Sequence, residues 1–275
     1  MTVLWLFIYL TVAVAMQWAF GNIDVRLFAF PVGAAVGAAL VAILYVAENE
    51  WGNRKWVKAL RSPAMACWTI ALTAVGCMAG GLLTADSEFQ TSIPFVALLI
   101  ALMANLTLTL LHRMRTFRMR RDWTFMAIHL GLWLALFSGL AGAGDNRQLN
   151  VLVGSEEEEA MAYDRNYRRA SLSHTFKLQD FDIATNAADG SPTQYSARIL
   201  IDNNPVDIAV NSPHALSLCE DIYLMNFKST QEDGKVNLCV LTIERQPWKY
   251  PMLIGLVMLL IGTAARGGKI ERLKN

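Results

Sequence analysis

Apolar residues in this chain come in long blocks rather than at the spacing of amphipathic surface helices. A helix that crosses a bilayer needs roughly 20 mainly apolar residues. Six segments approach that length, at residues 3–20, 27–46, 63–83, 93–111, 123–143 and 248–265. Between the last two lies a polar stretch, residues 145–247, whose pattern is different. "HTFKLQDFDI" alternates Phe176, Leu178 and Phe181 with polar neighbours, with a slip near Gln179 that predicts a bulge. "SARILID" and "VDIAV" flank the turn-forming Asn203–Asn204–Pro205, and "IYLMNF" and "VNLCVLTIE" flank "KSTQEDGK". The expected architecture is a polytopic α-helical membrane protein of six spans. A small antiparallel β-domain, sandwich or barrel-like sheet, is inserted between the fifth and sixth. Within that domain a helical pattern is conceivable only around Glu156–Tyr163.

Composition agrees: of 275 residues 54% are hydrophobic and 17% charged, too apolar for a soluble domain of this size. The net charge of +1 is uninformative, but its distribution sets the topology. Arg54, Lys55, Lys58 and Arg61 follow the second span. Arg113, Arg115, Arg118, Arg120 and Arg121 follow the fourth, and Arg266, Lys269, Arg272 and Lys274 follow the sixth. These clusters hold 13 of the 24 basic residues, and six spans put all of them on one side. The positive-inside rule then makes both termini cytoplasmic and the β-domain extracytoplasmic. The first segment lacks a positively charged start and is long for a signal h-region, so a retained anchor is expected. With no transit-peptide pattern, a bacterial cytoplasmic membrane is the simplest location. The expected domains are two N-terminal helices (1–47), a cytoplasmic loop (48–62), a three-helix core (63–144), the β-domain (145–247), and a final helix with its tail (248–275).

Candidate chemistry concentrates in "RMRRDWTFMAIHLGLWLALFSGLAGAG", where His129 is the one ionisable side chain from Trp123 to Gly144. An imidazole in an apolar span needs a partner. That partner is either a hydrogen-bonding group, such as a serine or a carbonyl, or a metal. At 3.6 residues per turn Phe125, His129, Trp133, Leu136 and Leu140 share one face, which suits a flat apolar cofactor. Gly131, Ala135, Gly139 and Gly142 lie on another, where small residues let helices approach. His112 sits at a span end beside Arg113, and Arg113 and Arg121 serve equally as topological anchors or as carboxylate partners. His174 and His214 lie in the β-domain without ligand-like context, and "SEEEEA" reads as a solvated face, since it lacks the glycine of a calcium loop.

The four cysteines form no metal spacing; Cys67 and Cys77 read as apolar filler in a span. If Phe227 faces Val236 across its hairpin, Cys239 faces Leu224, and Cys219 lies ~17 Å further along, beyond disulfide reach unless the chain curls at Glu220–Asp221. There is no P-loop, dinucleotide fingerprint, catalytic Ser-His-Asp or H-E-x-x-H arrangement, and no nucleic-acid signature.

Several stretches, in order, carry a resemblance: "RRDWTFMAIHLGLWLALFSGLAG", "FKLQDFDI", "DGSPTQYSARILID", "VDIAVNSPHALSL", "IYLMNF" and "LTIERQPWKYPMLIGLVMLLIGTAARGG". Over about residues 63–268 the chain resembles the ResB/CcsB family of cytochrome c maturation proteins (System II). It departs from that family in two extra N-terminal spans, a short outer domain, and "HALSLCED" where a leucine and a glycine are expected.

The resemblance implies a subunit of a membrane heme-export and heme-attachment complex, a holocytochrome c synthase whose attachment-site residues lie on the partner. The partner is a CcsA-like membrane protein, and the substrate is an apocytochrome c with a Cys-x-x-Cys-His motif. His129 corresponds to the family's transmembrane heme ligand, with heme b as cofactor. Trp133 and Phe125 flank it, and Arg121, Arg113 and His112 are weaker candidates for the propionates. Two other classes stay open: a heme- or quinone-linked membrane redox subunit, and a non-catalytic assembly or sensor protein.

Overall fold

The computed structural model describes residues 2–83, 87–186, 189, 191–229 and 236–274. Asp86 and most of the turn expected over "KSTQEDGK" lie outside these residues. The chain divides into two compact units, residues 1–145 with 248–275, and residues 146–247.

The first unit is helical. Its helices are α1 (Thr2–Phe20), α2 (Val32–Trp51), α3 (Lys55–Leu60), α4 (Pro63–Leu83), α5 (Ile93–Met114), α6 (Met119–Asp145) and α7 (Lys249–Lys274). Five of them, α2, α4, α5, α6 and α7, are long and apolar enough to cross a membrane, so this is a multi-pass membrane protein. The expected sixth span forms α1, but its apolar part, Leu4–Phe20, falls short of the other five. At 1.5 Å per residue it reaches only ~26 Å against a hydrocarbon core of ~30 Å. The short helix α3, inside the basic loop, escapes sequence reading because six residues carry too little periodicity.

α5 is the hub of the bundle. It is the most apolar span and more than half buried, packing against α1, α2, α4 and α6. Leu108 joins Leu44 of α2 and Val57 of α3 in one buried cluster. Buried Asn105 donates to the carbonyls of Leu60 and Ser62, which satisfies the free end of α3 inside the bundle. The tightest helix pair is α6 with α7. A Cβ on Gly131 would lie 2.6 Å from the Gly255 carbonyl oxygen, and one on Gly255 would lie 2.7 Å from that of Gly131. Gly131 and Ala135 therefore supply the close contact expected of small residues, and Gly142 packs on Trp248. Gly139 faces open space instead, because α7 covers only part of the stripe.

The second unit is one eight-stranded antiparallel sheet of order β5-β4-β3-β2-β1-β8-β7-β6. The strands are β1 (Arg147–Gly154), β2 (Glu159–Tyr163), β3 (Arg169–Thr185), β4 (Pro192–Ile201), β5 (Asn204–Ala209), β6 (His214–Ser217), β7 (Glu220–Ser229) and β8 (Val236–Arg245). The possible helix around Glu156–Tyr163 is β2, because its short alternating run pairs with β1 and β3. A register shift between Leu178 and Asp180 places the bulge at Gln179, and extra twist follows from it. Asp202 and Asn203, both at positive φ, close the β4–β5 hairpin, so Asn204 and Pro205 open β5 rather than forming the turn. The sheet is a single layer that curls until edge strand β5 approaches β6 and β7, nearer a barrel than a sandwich. Phe227 of β7 meets Phe181 of β3 and Tyr195 of β4 across the inside, with centroids 4.8 and 5.1 Å away. Val151, Val153, Phe176, Ile199, Ile208 and Leu241 complete the buried core.

Candidate functional site

His129 lies near the middle of α6, half-buried among apolar residues. Its Nδ1 is 2.9 Å from the Phe125 carbonyl oxygen one turn earlier. A carbonyl only accepts, so Nδ1 carries the hydrogen, and in the neutral ring Nε2 then keeps its lone pair. The same tautomer is found where a histidine binds a metal, with its second nitrogen held by a backbone oxygen. The Phe125 ring stacks on the imidazole at 3.9 Å and 25°. The Arg113 guanidinium stands 5.5 Å from the Phe125 centroid, a cation–π contact. Phe125, His129 and Arg113 are thus drawn together from two helices.

Trp133 turns elsewhere. Its Nε1 donates to Thr107 Oγ1 of α5 at 2.9 Å, and its indole stacks on Phe137 at 5.0 Å. Trp133 and Phe137 line an open apolar groove of about 560 Å³ together with the small residues Ala34, Gly37, Ala38 and Ala42 of α2.

Arg113 and Arg121 both bind Asp122, which is fully buried; the Arg121 Nε contact is 2.9 Å, and Arg118 N adds a backbone donor at 2.9 Å. His112 is separate from that group. Its Nδ1 lies 2.9 Å from Oε1 of Glu48, a buried carboxylate of α2 that also takes Arg61 at 2.6 Å. Arg115 donates to the Glu48 carbonyl at 2.8 Å and to Asn49 at 2.6 Å. Sequence reading missed Glu48 and Asp122. The available signal was an acid placed beside a basic cluster at a helix end, where it must either repel no one or pair.

In the β-domain His174 Nδ1 lies 2.6 Å from Asp202 Oδ2, while Thr175 N donates to the other oxygen. The His174 bond holds the Asp202 carboxyl below the usual carboxylate range, and Arg198 does the same for Asp207. Glu156, Glu157 and Glu158 are exposed, and among the described residues no His/Cys/Asp/Glu group is arranged to hold a metal ion. The expected β7–β8 register is displaced: Phe227 pairs with Cys239, and Val236 pairs with Ser229 instead of Phe227. Cys219 accepts from Gln246 N at the far end of β8, which leaves it ~23 Å along the strand from Cys239. Both thiols are free.

Residues 118–250 match the ResB-like family. The matched region holds α6 with His129, the whole sheet and the start of α7; His112 and Arg113 precede it. No curated protein matches the chain. Among solved structures, cytochrome c heme lyase CcmF is similar at a TM-score of 0.36 and 10% identity, over 71% of this chain and 33% of that one. The chain therefore spans about a third of the length of that protein.

Proposed function

We propose that this ResB-like membrane protein binds a b-type heme inside the bilayer through His129 and helps present it to apocytochrome c. It does so as one subunit of a holocytochrome c synthase whose attachment residues belong to a CcsA-like partner. The observation that carries this reading is the Nδ1–H bond from His129 to the Phe125 carbonyl, which leaves Nε2 as a ligand atom. Of the four histidines, only His129 lies well inside a span, so this chain offers a single imidazole there. A low-spin b-type heme would take two imidazoles, so a second one would have to come from the partner.

The residues fit the group. The heme supplies the iron and the porphyrin to be exported; the chain supplies a neutral, oriented imidazole on an aromatic support. Phe125 fixes the proton at Nδ1 and the plane of the ring. Arg113 and Arg121 share one carboxylate, Asp122, so a net positive charge is left for a heme propionate. His112, on Glu48, is the weaker propionate contact. α1 acts as the sixth span, local thinning of the bilayer making up its short length. With that count the basic clusters lie in the cytoplasm, both termini with them, and the β-domain outside, where it docks the partner and the apocytochrome.

The test is an absorption spectrum of the chain co-purified with its CcsA-like partner. His129→Ala is expected to lose the bis-histidine spectrum and most cytochrome maturation. His129→Gly with added imidazole regains part of both, and His112→Ala loses little. Full heme content with an unshifted spectrum in His129→Ala makes His129 a buried hydrogen-bonder only. Absence of heme from the native complex favours a non-catalytic assembly role.

A further inference from the structure

Strand β2 is five residues long and separates two turns of opposite charge. The turn that enters it, after β1, carries Glu156, Glu157, Glu158 and then Glu159 at the first strand position. The turn that leaves it carries Arg165, Tyr167, Arg168 and Arg169, all exposed, with Tyr167 87% exposed at φ 58°. At ~3.4 Å per residue the two lie about 17 Å apart.

Register fixes which end of the sheet each turn occupies. Asn150 of β1 pairs with Tyr163 of β2, so the arginine turn lies beside the start of β1, and Arg165 donates to Gln148 at 2.6 and 2.9 Å. Arg147, also exposed, begins β1 only two residues after α6 ends. The basic turn is therefore at the end where the chain enters the sheet from a membrane-spanning helix, and the acidic turn is at the other.

The turn is built to hold its shape. Asp164 Oδ1 accepts the amides of Asn166 and Arg168, each at 2.8 Å, and its carbonyl accepts Tyr167 N at 3.0 Å. The one acid of the turn is thus engaged with backbone, while the guanidinium groups of Arg168 and Arg169 point from exposed positions. Glu220, Asp221 and Glu244 lie at the same end of the sheet but on β7 and β8, and Glu220 faces Arg245 at 3.9 Å.

From this placement we infer that the β2–β3 turn, with Arg147, Arg165, Tyr167, Arg168 and Arg169, docks on the anionic phospholipid headgroups of the bilayer. Clustered arginines beside a bilayer bind phosphate headgroups, and an exposed tyrosine suits the interfacial layer. The glutamates at the opposite mouth are repelled from the same surface and orient the domain. The inference is independent of heme.

The test uses the full chain in nanodiscs, with Cys67, Cys77 and Cys219 replaced by serine. A bimane fluorophore is placed at Tyr167→Cys, or at Glu157→Cys as control, and doxyl-labelled lipid is the quencher. In discs containing phosphatidylglycerol, quenching is expected at 167 and not at 157. It should fall in pure phosphatidylcholine, in high salt, and when Arg165, Arg168 and Arg169 are all changed to Glu. Each arginine near an anionic surface is worth roughly fivefold in occupancy, so the triple variant should abolish the docked state. Inorganic phosphate added to detergent-solubilised protein should leave the fluorescence unchanged; a response there would indicate a free-phosphate site instead. A second label at Arg147→Cys keeps the test open if the 167 variant folds poorly. Equal quenching at 157 and 167, or quenching at 167 that ignores lipid charge, salt and charge reversal, overturns the inference.

Discussion

The imidazole of His129 lies flat against the ring of Phe125, 3.9 Å between centroids, while its Nδ1 binds the carbonyl of that same residue at 2.9 Å. One residue thus sets both the plane and the tautomer of the other. The carbonyl survives any side-chain change, but the stack does not. An aromatic pair contributes about 0.5–1.5 kcal/mol, so Phe125→Leu should weaken heme binding by roughly two- to tenfold without removing the ligand. Heme titration of the partner complex measures this; unchanged affinity and an unchanged spectrum would show that the ring orients nothing.

The α6–α7 contact makes a second prediction. A methyl on Gly131 would meet the Gly255 oxygen at 2.6 Å and Leu259 N at 2.8 Å, both backbone atoms that cannot rotate away. Gly131→Ala should destabilise by about 1–3 kcal/mol through overpacking. Gly139 meets nothing within 4 Å, so Gly139→Ala, on the same helix, should be neutral or slightly stabilising. Thermal unfolding in detergent separates the two.

The Asp202–His174 pair predicts acid sensitivity at the β4–β5 hairpin. The Asp202 carboxyl is lowered in the folded state, first by its bond from His174 and then by the Thr175 amide. A depressed carboxylate stabilises above its unfolded pKa of ~3.9 and loses that contribution as pH falls through its folded value. Hydrogen exchange of residues 198–206 should therefore accelerate relative to intrinsic exchange as pH falls below ~4. Asp202→Asn should raise exchange at neutral pH and flatten the profile.

The cysteines predict both chemistry and sidedness. Burial pushes the Cys239 thiol up to about 12, while Cys219 is half-buried on a turn. The thiolate is the reactive form, so a maleimide should modify Cys219 far faster than Cys239 in the folded protein, and both after unfolding. Mass spectrometry without reductant should find no bond between them. In sealed cells a membrane-impermeant maleimide should reach Cys219 and Ser155→Cys but not Asn53→Cys; labelling at position 53 would break the proposed orientation. Replacing Cys219 and Cys239 with serine should leave some heme attachment activity, and complete loss with normal folding would assign them a chemical role.

What the sequence determined by itself was whatever rests on local pattern. Blocks of apolar residues name membrane helices because a bilayer imposes their length. Alternation names strands, and even the bulge at Gln179 is visible as a slip in that alternation. His129 stands out because no other charge-bearing group shares its stretch from Trp123 to Gly144. The resemblance to the ResB-like family rests on ordered motifs of the same kind, and the family match covers residues 118–250 of them.

Tertiary structure decided everything that depends on which surfaces meet. Helical periodicity put Trp133 on the face of His129, yet its indole bonds Thr107, because α5 supplies a hydroxyl there. Asp122 and Glu48 read as ordinary acids near basic loops; only the convergence of helix ends buries them between Arg113, Arg121, Arg61 and His112. The Phe227–Cys239 pairing was not legible either, since register is chosen by which faces of two separate strands meet. The opposed charges on the two turns of β2 are plain in the chain, but their placement at opposite ends of the sheet came from pairing register. Local pattern is set by each residue's own neighbours within a turn or a pleat, whereas burial, ion pairing and register are set by residues distant in the chain.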